Sequence, residues 1–425
     1  MRCILLASAA AIAALPLLGS AALASTLPAG ARVEIVPRGT IITPSSSMPA
    51  TDPRDTSAHT NVKLFFPGGH AISPAASKVT WETPASLACV YGVVKVTDKC
   101  DNTKVKRVAT GGSKMIAIVD AFDDPNAEAD LAVYSKQFGL PAPSSANFEV
   151  VYATGKQPRQ DPTGGWEVEE SLDVDMAHAI APNAKVVLVE AASAAQVDLL
   201  QAEKIALRLV NAAGGGEVSN SWAGPEYDAE AALEPLFTSN KVVVFAAAGD
   251  NPGVGTPSIL PNVISVGGTT INRANSNGSG AFKSETSWSS TGGGLSAYIA
   301  TPAYQSQVTS IVGTHRGSPD IAADANPSSG AVIYDSIPYL DQTLGFVVVG
   351  GTSLASPLSA ALVNNAGSFN ASTKAELTEI YANLGNIKAF ADITSGQCTN
   401  AAGGSASVGY DLCTGVGAPI GTTGK

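Results

Sequence analysis

The chain runs to 425 residues with a formal net charge of −11, and 45% of its residues are hydrophobic against 14% charged. Such a composition builds a packed core and excludes a disordered chain. The acidic excess excludes a nucleic-acid partner, because no basic stripe is present to neutralise phosphates. The length fits one α/β domain of more than ~300 residues plus a short leader, and the sparse charge leaves little self-repulsion to be released in acid.

Arg2 supplies a positive n-region, residues 3–18 an apolar stretch and Ala22-Leu23-Ala24 a small-residue cleavage site. Residues 1–24 therefore read as a secretory signal, and the protein is expected to be secreted, extracellular or periplasmic. No later run is long enough to span a bilayer, so no membrane association is expected once the signal is gone. Signal removal takes Cys3 with it and leaves Cys89, Cys100, Cys398 and Cys413. Export permits disulfides, and the even count at short spacing favours the local pairs Cys89 with Cys100 and Cys398 with Cys413; free buried thiols are the alternative. No C-x-x-C or Cys/His cluster points to metal ligation by these cysteines. Residues 25–80, rich in Pro, Ser and Thr and broken at Pro44-Ser45-Ser46-Ser47 and Phe66-Pro67-Gly68-Gly69, read as a leader or short prosegment ahead of a domain over 81–425.

From about residue 113 apolar strands alternate with amphipathic helices. Strands are expected over 115–119, 148–152, 185–190 and 241–247, and helices over 126–139, 166–180, 196–213 and 227–239. That alternation implies a parallel sheet with helices on both faces and function at the C-terminal strand ends.

The apolar run Phe346-Val347-Val348-Val349 leads into Gly350-Gly351-Thr352-Ser353-Leu354-Ala355-Ser356-Pro357. A glycine pair ending one such strand and small residues opening a helix would present the Ser353 hydroxyl near a helix N-terminus, where free N–H groups favour a developing oxyanion. Serine needs an adjacent base. Of the four histidines, His59 and His70 lie in the leader, His315 lacks a supporting acid, and His178, on a helix with Asp173 and Asp175, reads equally as a surface or core residue. The same helix carries Glu169 and Asp173 one turn apart on one face. Buried together, the two carboxyls would share a proton and could relay one to and from the serine. Exposed, Glu167, Glu169, Glu170, Asp173 and Asp175 would form a solvated acidic face. Asp250, after the strand of Phe245-Ala246-Ala247, could donate to an oxyanion while protonated, or simply form an Asx turn.

These segments resemble the sedolisin family of serine-carboxyl peptidases, which are subtilisin-like in fold and use glutamate where subtilisins use histidine. The resemblance rests on Glu169-x-x-x-Asp173 within Leu172-Asp173-x-x-x-Ala177-x-Ala179-Ile180-Ala181-Pro182, on Gly249-Asp250, on Ser265-Val266-Gly267-Gly268-Thr269-Thr270 and on Gly351-Thr352-Ser353-x-x-x-Pro357, in order across about 82–419. It implies a subtilisin-like α/β fold and a monomeric endopeptidase acting on protein or peptide substrates at acidic pH. It further implies Ser353 as nucleophile, Glu169 as base and then acid, Asp173 as its orienting group and Asp250 as oxyanion donor. Ser219, Ser221 and Trp222 are similar to the family's substrate-edge strand, to which a peptide would add as a β-strand. The family's structural calcium loop is matched by Asp392, Ile393, Ser407, Gly409 and Asp411, hard oxygen donors that a Cys398 to Cys413 bridge would brace.

Two features depart from the family pattern. The stretch between Ser25 and Trp81 is shorter than a family prodomain, and Asp120 ends the first sheet strand, where subtilisins keep a catalytic aspartate. Asp120 is read as capping the 120–125 turn. Its other reading, a subtilisin-like triad with His178, predicts a near-neutral optimum. An esterase is disfavoured because G-x-S-x-G is absent. A non-catalytic secreted binding module would keep the fold without the chemistry.

Overall fold

The computed structural model describes residues 30–50, 52, 55–68, 72, 79–339, 342–398 and 404–425. The signal reading of residues 1–24 and His70 lie outside the described residues. Strands in chain order are β1 (Arg32–Val36), β2 (Gly39–Thr43), β3 (His59–Thr60), β4 (Lys63–Pro67), β5 (Met115–Ala121), β6 (Phe148–Tyr152), β7 (Lys185–Ala191), β8 (Gly216–Asn220), β9 (Trp222–Pro225), β10 (Val242–Ala247), β11 (Gly255–Thr256), β12 (Ile264–Arg273) and β13 (Phe282–Ser287). β14 (Gly294–Ala300), β15 (His315–Ser318), β16 (Ile321–Asp324), β17 (Ala331–Tyr339) and β18 (Gln342–Gly350) follow. The helices that matter for the site are α1 (Ala127–Phe138), α2 (Gly165–Ile180), α3 (Gln196–Ala212) and α4 (Thr352–Asn365).

The main sheet has the order β13-β12-β10-β8-β5-β7-β6, with β16 also on β12, and every pair from β12 to β6 is parallel. Its central strands are buried along their whole length, as a parallel sheet covered on both faces requires. The register sets Val119 beside Asn220 and Asn220 beside Ala246. The C-terminal ends of β5, β8 and β10 therefore open at one level, where Asp120, Ser221 and Asp250 emerge. Among the described residues no helix is long and apolar enough to cross a membrane.

Two expectations fail. The helix over 227–239 is only a 3-10 turn at Glu230–Leu233, because Pro235 removes a backbone donor and clashes with the preceding turn. The strand before Ser353 is not in the parallel sheet: β18 pairs antiparallel with β17 and β4 in a second sheet of order β1-β2-β4-β18-β17. A short apolar run has the same signature in both settings. The segment read as a leader or short prosegment contributes β1, β2 and β4 to that sheet and β3 to the edge of β9. Its Pro and Ser breakers separate short strands.

Candidate active site

Ser353 is the second residue of α4, which starts at Thr352 directly after Gly351. Gly351 has φ +109°, and a Cβ there would meet Asp250 Oδ2 at 2.8 Å, so only glycine makes this turn. Pro357 has no N–H to give the carbonyl one turn earlier, which is that of Ser353. The Ser221 oxygen lies 3.4 Å from this free acceptor, a longer contact than the one its hydroxyl makes to Asp173. The spacing Ser-x-x-x-Pro thus leaves the Ser353 carbonyl available to the neighbouring strand end.

Ser353 Oγ is fully buried and donates to the Ser221 carbonyl at 3.0 Å. Glu169 and Asp173 come from α2, whose sixteen residues are all buried. The solvated-face reading of these acids is therefore wrong: α2 packs between α4 and β17 in the interior. Both Glu169 oxygens lack a hydrogen-bond partner. Burial pushes its carboxyl well above the usual range, the Asp173 and Asp120 charges push further, and the nearby Ser353 hydroxyl opposes them. Asp173 is raised by burial and restrained by the Ser221 hydroxyl, which donates to Oδ1 at 2.8 Å. Ser221 thus holds Asp173 through its side chain and Ser353 through its carbonyl.

Asp250 stands across from this pair at the end of β10. Its Oδ1 accepts from the Thr352 amide at 2.8 Å and the Thr352 hydroxyl at 3.0 Å, while Oδ2 is buried and unpartnered. Burial raises its pKa to about 6, against the pull of Lys63. Oδ2 lies beside the Asn61 carbonyl oxygen that accepts from the Ser353 N–H at 3.3 Å, because a Cβ built on Gly351 would meet both oxygens. An unengaged carboxyl base, a buried hydroxyl and two convergent donors can carry out acyl transfer.

Other expected residues fall differently. The Ser219 hydroxyl is tied to Ser356 at 2.8 Å and packs β8 against α4. Trp222 is buried on β9, whose edge is already taken by β3, with Thr60 opposite Trp222 and His59 opposite Ala223. Beside them opens a cleft of about 650 Å³ lined by Ser57, His59, Gly224, Glu226 and Asn251, among others. His178 donates from Nε2 to the Pro141 carbonyl at 2.8 Å, and burial lowers its pKa. The Asp120 to His178 triad does not form. Nor does Asp120 cap the turn after β5: Asp124 does so, accepting from the Asn126 amide at 2.9 Å. Asp120 is instead buried with both oxygens unpartnered, opposite Glu190 in the strand register and facing the Asp173 charge.

Sequence reasoning missed this continuation of the acidic network. Glu190 is raised to about 9 by burial and by Asp123 and Asp124, and Glu167 to about 8. A usable signal was present in Val119-Asp120 and Val189-Glu190, two acids ending fully apolar strands at one level.

Cys89–Cys100 and Cys398–Cys413 are both bridged, as their spacing suggested. The second bridge closes the loop holding Ser407, Gly409 and Asp411. There Asp411 Oδ2 accepts from the Ser407 amide and Asp392 Oδ2 from the Gly409 amide, each at 2.9 Å. Two carboxylates from separate segments thus hold one turn, and among the described residues no group of three or more His, Cys, Asp or Glu side chains is placed to hold a metal ion.

No family model matches the sequence. The chain is 32% identical over 343 residues to kumamolisin of Bacillus sp. (strain MN-32), spanning 73% of this chain and 59% of that protein. It is 35% identical over 184 residues to sedolisin of Pseudomonas sp. (strain 101), covering 40% of this chain and 29% of that one. It therefore spans less than two thirds of the length of these relatives. Among solved structures, Pseudomonas sedolisin complexed with two molecules of pseudo-iodotyrostatin superposes with a TM-score of 0.62 at 23% identity, over 81% of this chain and 96% of that one. Joined to the ordered motifs and the fold, these likenesses settle the relationship: the chain belongs to the sedolisin family.

Proposed function

We propose that the protein is a secreted serine-carboxyl endopeptidase that cleaves peptide bonds at acidic pH through an acyl-enzyme on Ser353. The observation that carries this reading is the unpartnered, buried Glu169 carboxyl beside the Ser353 hydroxyl. Ser353 Oγ attacks the scissile carbonyl carbon as its proton passes to Glu169, with Asp173 sharing the charge of the pair. The oxyanion is held by the Ser353 N–H and the protonated Asp250. Glu169 then returns the proton to the leaving amine, and water, deprotonated by Glu169, hydrolyses the ester.

Acidic action follows from Asp250, whose donor role requires the proton it loses above about pH 6. The substrate strand would take the place of β3 on β9 beside Ser221 and Trp222, and Ser219 supports that edge from beneath. Asp392 and Asp411, with the carbonyls of Ile393, Ser407 and Gly409, would hold one structural calcium ion. That ion would brace the loop and takes no part in the chemistry.

The test is cleavage of a denatured protein between about pH 3 and 7, where such carboxyls titrate, by the parent chain, Ser353→Ala, Glu169→Gln and His178→Ala. Loss in the first two variants and retention in the third is the expected result. Activity persisting in both Ser353→Ala and Glu169→Gln would overturn the reading, and its loss in His178→Ala would restore a histidine base.

A further inference from the structure

A row of buried carboxyls leads from Glu169 and Asp173 away from the cleft. Asp120 of β5 stands opposite Glu190 of β7, and alternate residues of a strand share one face. Ile118 and Leu188, two positions earlier, pack in one core with Leu172 and Met176 of α2. Asp120 and Glu190 therefore face α2, which sets Asp173 against Asp120 and Glu170 against both. Both oxygens of Asp120 and of Glu170 are buried and unpartnered. The charges acting most on Asp120, Glu170 and Glu190 are those of other carboxyls, so protons must neutralise the row. Its far end reaches solvent. Glu190 Oε1 accepts from the Asp124 amide at 3.4 Å, and the Glu190 carboxyl hydrogen-bonds to that of Asp123. A bond between two carboxyls needs a proton on one of them. Asp123 accepts from Gln157 Nε2 at 2.9 and 3.1 Å, and Gln157 is exposed in the loop after β6. Tyr152, opposite Glu190 on β6, also hydrogen-bonds to Asp123. None of these residues lines the cleft beside β9.

We propose that Glu190 is a positioning residue for the peptidase reaction: it relays a proton from solvent at Asp123 through Asp120 to the Glu169–Asp173 pair, behind the bound substrate. The proposal rests on the peptidase reading above. A leaving amine has a pKa of about 8, so in acid it departs as an ammonium ion and takes two protons. The first is the Ser353 proton, which Glu169 delivers to the nitrogen as the C–N bond breaks. The second comes from the proton that the pair still shares. Two ionised carboxyls cannot stay buried together, so Asp120 reprotonates the pair, Glu190 reprotonates Asp120, and Asp123 reprotonates Glu190. Solvent restores the proton on Asp123. In deacylation the attacking water gives its proton through Glu169 to Ser353 Oγ, and the acid product releases its own proton to solvent. One proton thus enters through the row and one leaves with the product in each turnover. The residues that react are fully buried, Ser353, Glu169 and Asp173 alike, and a peptide across Ser353 closes the front. A route from behind lets the pair recover its proton before the acyl group is released.

The experiment compares the full chain with Glu190→Gln and Glu190→Asp at pH 4, on a peptide amide and on the ester of the same peptide. Glutamine keeps the size and hydrogen bonding of a neutral carboxyl but cannot pass a proton on. Aspartate is the poorer fit and can. With Glu190→Gln, kcat for the amide should fall by on the order of 10²-fold at unchanged KM, and its solvent deuterium isotope effect should rise. An ester's leaving oxygen takes one proton only, the one Glu169 delivers, so ester turnover should stay within about twofold of the parent. Glu190→Asp should recover most of the amide rate. Equal losses on amide and ester, or a larger loss in Glu190→Asp than in Glu190→Gln, would show that Glu190 only packs the sheet against α2. Unchanged turnover of both substrates in Glu190→Gln would show that protons enter from the cleft. Each of these results overturns the proposal and leaves the peptidase reading standing. A parent chain that cleaves neither substrate, or a Ser353→Ala chain that cleaves both, would remove both.

Discussion

The Thr352 amide donates to Asp250 Oδ1 at 2.8 Å, and this bond fixes which Asp250 oxygen faces the nucleophile. Because Oδ1 is occupied, the proton held below about pH 6 belongs on Oδ2, the buried oxygen without a partner. Asp250→Ala should lower kcat by on the order of 10²–10³, the usual loss on deleting one oxyanion donor. Asp250→Asn supplies an amide that never titrates, so it should keep much of that rate and extend activity above pH 6. Kinetics of both variants across pH check this.

Ser221 couples the acid pair to the serine. Its hydroxyl bond holds the Asp173 pKa down, so Ser221→Ala should let that pKa rise, and the pair would first ionise at higher pH. The acid limb of the kcat profile should shift upward while KM changes little. A uniform loss at every pH would mean that Ser221 only supports packing.

Stability should depend on pH in the sense opposite to that of most proteins. Asp124 is raised to about 7, Glu167 and Glu203 to about 8 and Glu190 to about 9, all chiefly by burial. A carboxyl whose folded pKa is raised binds its proton more tightly folded than unfolded. Its contribution is therefore fully present below the unfolded value near 4 and is lost as pH rises through the folded value. Thermal melts should show Tm at pH 4 exceeding that at pH 8 by roughly 10 °C. The opposite slope would show these groups ionised and paired in the folded state.

Much of this site was legible because its chemistry is local in sequence. Glu169 and Asp173 sit one helical turn apart, and Gly351-Thr352-Ser353 forms a single turn. What could not be read was set by tertiary contact. Periodicity could not tell β18, in an antiparallel hairpin, from a parallel strand. Burial of every acid on α2 follows from its place between α4 and β17, not from its composition. The pairing of Asp120 with Glu190 needs the register of β5 on β7, and the course of Asn61 across Ser353 joins residues 292 positions apart.

Calcium removal gives a separate check on the Cys398–Cys413 loop. A chelator should lower Tm, and Asp411→Asn should lower it in calcium and abolish the chelator response. Saturation at 100 times Kd should add about 2.7 kcal/mol. A melt indifferent to both calcium and chelator would show that Asp392 and Asp411 serve only the loop's own amides.

The central claim is a covalent acyl intermediate on Ser353 formed with a carboxyl base. Its most direct measurement is acid-quench mass spectrometry of the full chain mixed with an activated ester of a short peptide at pH 4, followed by peptide mapping. The account predicts that the peptide containing Ser353 gains the acyl mass in the parent chain, gains it at least a hundredfold more slowly in Glu169→Gln, and never gains it in Ser353→Ala. Peptide-bond turnover without any adduct at Ser353, or acylation at an unchanged rate in Glu169→Gln, would contradict it.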